Sequence, residues 1–114
     1  MRSDRAVLGL LEEVTICGMD KKKTVLARID TGATSSSIDG ALAKELELKP
    51  GKGTKTIKSA LGIRTRSIVH AKIKIDGIIM ETKLNVADRS HMTYAVLVGR
   101  DILKQGHFLI DPSK

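Results

Sequence analysis

Aromatic side chains are almost missing from this chain: Tyr94 and Phe108 are the whole complement, and there is no tryptophan. The core must therefore be aliphatic, built from Ile, Leu and Val. The shortage also argues against a single-strand nucleic-acid binder, which stacks bases on aromatic platforms. Cysteine occurs once, at Cys17, which excludes an internal disulfide and fits a reducing compartment. Clean apolar runs reach only about six residues, far short of a membrane span. The start, "MRSDRAVLGLLEEV", is basic, but Glu12 and Glu13 interrupt it before an export signal's apolar stretch can form. The expectation is a cytoplasmic protein with no membrane contact.

What is present is one domain's worth of chain, 114 residues, read as a single domain over 1–114. Mean hydropathy is −0.06, that of an ordinary globular protein. Lys and Arg number 20 against 13 Asp and Glu, a net charge of +7. That bias favours anionic partners, an acidic peptide or nucleic acid, but it equally describes a solvated basic surface. A small aliphatic core makes burial in an oligomer interface plausible.

The pattern along the chain is mostly β. Residues 6–17 read as a strand with a break at Gly9, and "GMDKKK" as a turn. "TVLARI" is the next strand, with Val25, Ala27 and Ile29 on one face. Asp39 can cap a short helix that ends at Pro50-Gly51. Two β runs flank Leu61-Gly62, which predicts a hairpin over about 56–68 with its tip near Gly62. Asp76-Gly77 marks a second tight turn, into a strand with Ile78, Met80, Leu84 and Val86 on one face. "YAVLVG" reads as a buried strand, "RDILKQG" as a short helix, and "HFLID" as a last strand.

The chemistry concentrates at Asp30-Thr31-Gly32-Ala33, where a strand ends in a lone acid and turns sharply. Gly32 permits close backbone approach, and amides near such a turn can hydrogen-bond a carboxylate. Thr31 offers a hydroxyl to brace the turn. Three common residues coincide often by chance, so on the tripeptide alone a plain turn or cap aspartate is the better reading. Distal context adds weight. "AVLVGRDIL" places Gly99, Arg100 and Asp101 between an aliphatic run and a helix, and the hairpin tip lies between the two segments.

Together these residues resemble the retropepsin-like aspartic peptidases. More narrowly, "VLGLLEEVTI", "VLARIDTGATSSSI", "LGIRTRSIV" and "DRSHMTYAVLVGRDIL" are similar to a family described as ATP-dependent zinc proteases, associated with ATP-grasp ligases that add glutamate to ribosomal protein tails. The resemblance implies an all-β, closed retropepsin-like barrel protomer with a flap hairpin and one or two short helices. It implies Asp30 as the catalytic acid, with Thr31, Gly32 and Ala33 as its turn. Leu61, Gly62, Ile63, Arg64 and Arg66 become the flap and substrate-binding positions. Asp88, Arg89, Gly99, Arg100 and Asp101 become structural or dimer positions. Two carboxylates are needed, one to activate water and one, protonated, to polarise the scissile carbonyl. This chain carries one such motif, because Asp111 is followed by Pro-Ser rather than a Thr-Gly turn. The partner acid must then be Asp30 of a second copy across a twofold axis.

Zinc and ATP are not expected as cofactors despite the family's label. Cys17, His70, His91 and His107 lack metal-ligand spacing, and "GKGTK" at 51–55 lacks that of a phosphate loop. Thr34 stands where retroviral enzymes usually have an acid, so Arg100 needs another partner, Asp101, Asp88 or Asp39. Asp88-Arg89 reads as a structural ion pair. Ser35 to Ser37 read as small residues packed beside the turn or as hydrogen-bond donors to substrate. Arg64 and Arg66 share a strand face and either grip an acidic substrate or point outward with Lys72 and Lys74. The leading function is a homodimeric aspartic peptidase acting on peptides, with acidic, glutamate-rich ones favoured. The alternatives are a non-catalytic dimeric adaptor that binds a ligase or an acidic tail, and a basic nucleic-acid-binding domain.

Overall fold

The computed structural model describes residues 5–60 and 62–114. Nine strands and two helices follow in the order β1 (Val7–Leu8), β2 (Leu11–Cys17), β3 (Lys22–Ile29), β4 (Ser37–Asp39), α1 (Gly40–Glu45), β5 (Lys49–Ser59), β6 (Gly62–Ile75), β7 (Ile78–Ala87), β8 (Val96–Val98), α2 (Arg100–Gln105) and β9 (Leu109–Ile110). Strands β2, β3, β8, β4, β7 and β6 pair in that order. β6 also pairs with β2, from Val14↔Ile75 to Cys17↔Lys72, and closes a six-stranded barrel. Closure leaves those strands without a free edge. β5 hangs outside the ring, paired only with β6.

Alternation sets the barrel's inside. Along β6, Val69, Ala71, Ile73 and Ile75 are buried while His70, Lys72 and Lys74 are exposed, as a half-buried strand requires. Leu8, Val14, Ile16, Ile38, Ile73, Ile75, Leu84, Val96, Val98 and Ile102 are fully buried. The core is aliphatic apart from Phe108, as the composition demands.

Turn chemistry explains the connections. Asp76 (φ 48°) and Gly77 (φ 80°) are both left-handed, which gives the tight hairpin that pairs Ile75 with Ile78. The expected break near Gly9 separates β1 from β2, and β1 runs parallel to β9 with Val7↔Leu109 and Leu8↔Ile110 in register. The hairpin expected around Gly62 is formed by β5 and β6, with Ser59 opposite Gly62. Leu61, expected at its tip, lies outside the described residues.

The end of the first helical segment differs from expectation. α1 begins as expected, with the Asp39 carboxylate accepting the Ala41 N–H at 3.2 Å. It stops before Pro50, because Glu47 turns left-handed (φ 52°) and the N–H groups of Glu47 and Leu48 donate back to Lys44 and Ala43. Pro50 then sits inside β5, opposite Val69, just before a shift in register that ends at Thr54. An edge strand with a bulge is where a sheet accepts proline. α2 ends by the same device. Gly106 is the residue before the left-handed His107 (φ 53°), and a Cβ at Gly106 would lie 2.2 Å from the Phe108 ring.

Candidate active site

β3 delivers Asp30 to the mouth of the barrel. The Asp30 N–H donates to Val98 O at 2.8 Å, which ties the end of β3 to β8. The chain then folds back on itself. Gly32 N–H donates to Asp30 Oδ1 at 2.9 Å, and Ala33 N–H to Asp30 O at 3.2 Å. A Cβ on Gly32 would approach Asp30 Oδ1 to 3.2 Å, so glycine is what lets this amide reach the carboxylate. Among the described residues nothing donates to Asp30 Oδ2. Thr31 lies exposed, and its hydroxyl has no hydrogen-bond partner among the described residues.

The Gly99-Arg100-Asp101 segment locks this turn from beneath. Gly99 packs so closely that a Cβ there would lie 2.9 Å from Ala33 O and Ser35 O. Arg100 N–H donates to Ala33 O at 2.8 Å, and Asp101 N–H to Thr34 O at 3.3 Å. The knot is Ser36, which is fully buried. Its N–H and Oγ–H donate to Asp101 Oδ2 and Oδ1 at 3.1 and 2.6 Å, while its Oγ accepts the Gly99 N–H at 2.8 Å. Ser36 O in turn accepts both the backbone and side-chain N–H groups of Asn85, at 3.0 and 2.8 Å. Asp101→Ala would leave the buried Ser36 N–H and hydroxyl without their acceptor, and we expect a loss of about 3 kcal/mol. Chemical denaturation measures it as a lower midpoint at unchanged slope.

Two expected partnerships resolve differently. Arg100 is held by the Thr34 hydroxyl, its Nη2 donating at 2.9 Å, rather than by Asp101, Asp88 or Asp39. Asp101 is already engaged with Ser36. Asp88 and Arg89 form no ion pair. The Asp88 carboxylate accepts the Ser90 N–H and hydroxyl at 3.1 and 2.6 Å, and these bonds lower its pKa. Arg89 faces elsewhere: its N–H donates to Asp39 Oδ1 at 2.7 Å and its Nε to Tyr94 O at 2.9 Å. Burial lowers the Arg89 pKa, and the nearby Arg66 and Arg28 guanidiniums add to the effect.

Over the turn lies the β5–β6 hairpin. A cleft of about 560 Å³ separates them, bounded by Gly32 to Ser35, Lys55 to Lys58, Arg66, Asn85, Arg89 and Leu97. Among the described residues four cations line it and no carboxylate does. Of the two arginines expected to grip substrate, Arg66 lines the cleft and donates to Asn85 Oδ1 at 3.0 Å. Arg64 stands exposed outside it, alongside Gly62 and Ile63. Ser37 is buried at the cleft wall, and the small-residue reading of Ser35 to Ser37 fits this packing. Sequence reading passed over Asn85 and Arg28. Asn85 carried a signal as the one amide in an otherwise apolar strand end, and Arg28 by lying two residues before Asp30 on the same face. Among the described residues no three His, Cys, Asp or Glu side chains converge on a metal-sized site.

Comparison with known proteins places this geometry. Residues 15–105 match the family described as gag-polyprotein putative aspartyl protease, and the chain belongs to that family of retropepsin-like aspartyl proteases. Solved structures share its fold. A Legionella pneumophila protein of unknown function, Lpg0085, is 22% identical over 98% of this chain and 96% of its own, with a TM-score of 0.69. EIAV protease, complexed with the inhibitor HBY-793, is 25% identical over 83% of this chain and 85% of its own, with a TM-score of 0.66. The retroviral protease-like domain of Ddi1 from Leishmania major is 16% identical over 86% and 78%, with a TM-score of 0.52. No curated protein matches the sequence.

Proposed function

We propose that the chain is a cytoplasmic homodimeric aspartic peptidase in which Asp30 of each copy supplies half of the catalytic pair. The observation that carries this reading is the Asp30 turn itself. One carboxylate oxygen is fixed by Gly32 N–H, the other has no donor among the described residues, and the turn that follows, Gly32 to Ser35, faces the hairpin across an open cleft. One acid takes a proton from water as its oxygen attacks the peptide carbonyl carbon, while the other gives its proton to the carbonyl oxygen. The resulting gem-diol collapses as a proton reaches the amide nitrogen and the C–N bond breaks. Two carboxylates at roughly 3 Å cannot both ionise, so the pair holds the single proton this exchange needs.

Support for pairing comes from apolar exposure beside the turn. Leu10, whose carbonyl accepts the Ile29 N–H, is 52% exposed, and Val7 and Leu109 are exposed on the terminal two-stranded sheet. The β5–β6 hairpin acts as the flap, with Gly62 (φ 120°) and the exposed Ile63 at its end. The similar EIAV protease, solved with the inhibitor HBY-793, supports a protease role for this chain. The all-cationic lining favours acidic peptides, including the glutamate-rich tails made by an ATP-grasp ligase. The zinc-protease family associated with such ligases is the narrower membership we propose, with neither zinc nor ATP taking part.

Dilution tests the shared site. Specific activity on acidic peptides should fall as concentration drops through the range where sedimentation shows dimers separating, and a monomer that keeps full activity would overturn the proposal. Dimers that bind glutamate-rich peptides tightly yet leave them intact from acid to neutral pH would instead favour the adaptor reading.

A further inference from the structure

Beside Asp30 a second cavity of about 510 Å³ opens, sharing Arg89 and Leu97 with the flap cleft. Arg28 lies on the same face of β3 as Asp30, since Ala27 and Ile29 turn inward and are buried. Leu97, opposite Arg28 on β8, forms the wall. Arg89, Met92 and Tyr94 close the far side, and the Arg89 Nε bond to Tyr94 O fixes that loop.

The charges in this cavity do not balance. The Arg28 guanidinium makes no hydrogen bond or ion pair with any described residue, and the Arg89 guanidinium uses only Nε on the protein, leaving both Nη groups unspent. The one carboxylate lining the cavity is Asp30, which the peptidase chemistry requires for itself. Arg89 feels both Arg66 and Arg28, so the guanidiniums are close enough to repel, with Asp39 and Asp30 acting in the opposite sense. A fold gains no stability from such a cluster, but an anion entering it relieves the repulsion. Planar guanidiniums grip a carboxylate through paired N–H bonds, while Met92 and Leu97 offer apolar walls for a short methylene stem.

We infer that Arg28 and Arg89 form a carboxylate-binding subsite that selects an aspartyl or glutamyl side chain at the residue adjoining the bond to be cut. The position follows from sharing one face and one cavity with Asp30. The inference rests on the peptidase reading above and sharpens it, from a generally cationic cleft to two named specificity-determining residues.

A degenerate peptide library, with cuts mapped by mass spectrometry, tests it. In wild-type protein, Asp or Glu should exceed Asn or Gln by at least about tenfold at one position flanking the cut. Arg28→Gln should erase that enrichment, the ratio of acidic to neutral cuts falling to about one, and Arg28→Glu should turn the preference towards Lys. The Arg28 side chain is exposed and bonds no described residue, so these variants keep the fold. Arg89→Lys keeps the charge but loses the fork, and should weaken the preference in part. Equal cutting beside Glu and Gln by wild type would overturn the subsite and leave the peptidase reading standing. Should no peptide be cut, that reading fails, and fluorescence anisotropy decides the subsite alone. A labelled Glu-rich peptide binding at least about tenfold tighter than its Gln counterpart, with the margin lost in Arg28→Gln, supports it, and equal binding overturns it.

Discussion

Exchanging Asp30 for asparagine will slow peptide hydrolysis by at least about 10³-fold while leaving the dimer assembled. The two side chains are nearly the same size, and the Gly32 N–H that donates to Oδ1 can donate equally to the amide oxygen. The turn therefore survives. What disappears is proton traffic: an amide neither accepts the proton of the attacking water nor delivers one to the carbonyl oxygen. In a twofold assembly one substitution removes both acids at once. Side-by-side measurement of cleavage rate and sedimentation decides the matter, and a variant that cuts at the wild-type rate removes Asp30 from the chemistry.

Gly99→Ala will act on stability and activity together. A Cβ at this position meets Ala33 O, Ser35 O and the Ser35 carbonyl carbon at 2.9 Å, all of them backbone atoms that no rotamer change can move aside. The strain lands on the loop that carries Asp30 and on the Ser36 knot just below it. We expect a loss of about 3 kcal/mol, seen as a fall in Tm of roughly 12 °C for a chain of this length. Gly40→Ala is the control. A Cβ there lies at an ordinary 3.4 Å from Val86 Cγ1, at the start of α1 where alanine suits the helix, and its stability should move by less than about 1 kcal/mol. Equal thermal shifts in the two variants would contradict the close packing under the turn.

Features written in consecutive residues were legible in the sequence. Asp76-Gly77 predicts its hairpin because two left-handed positions select those residue types, and the alternation along residues 69–75 predicts which side is buried. The Asp30 turn was visible for the same reason. Features that join distant residues were not. Ser36 and Asp101 are 65 positions apart, and nothing local tells that this serine of three adjacent ones is the buried knot. Arg100 found Thr34, a neutral partner, because Asp101 was already committed to Ser36. Adjacent opposite charges misled at Asp88-Arg89: the short aspartate side chain reaches Ser90 two residues on, which outcompetes a neighbour pointing the other way. Pro50 misled because its tolerance depends on β5 being an edge strand, a property of the assembled sheet.

β6 is a single unbroken strand of 14 residues. Its first half, from Gly62, forms one arm of the hairpin, and its second half, to Ile75, is a stave of the barrel, clamped between β2 and β7. The arm thus behaves as a lever whose fulcrum is the barrel wall near Val69, so its tilt is set from the anchored end as well as from the tip. A cavity cut at Ile73, far from any substrate, would loosen that anchorage and let the arm swing more widely.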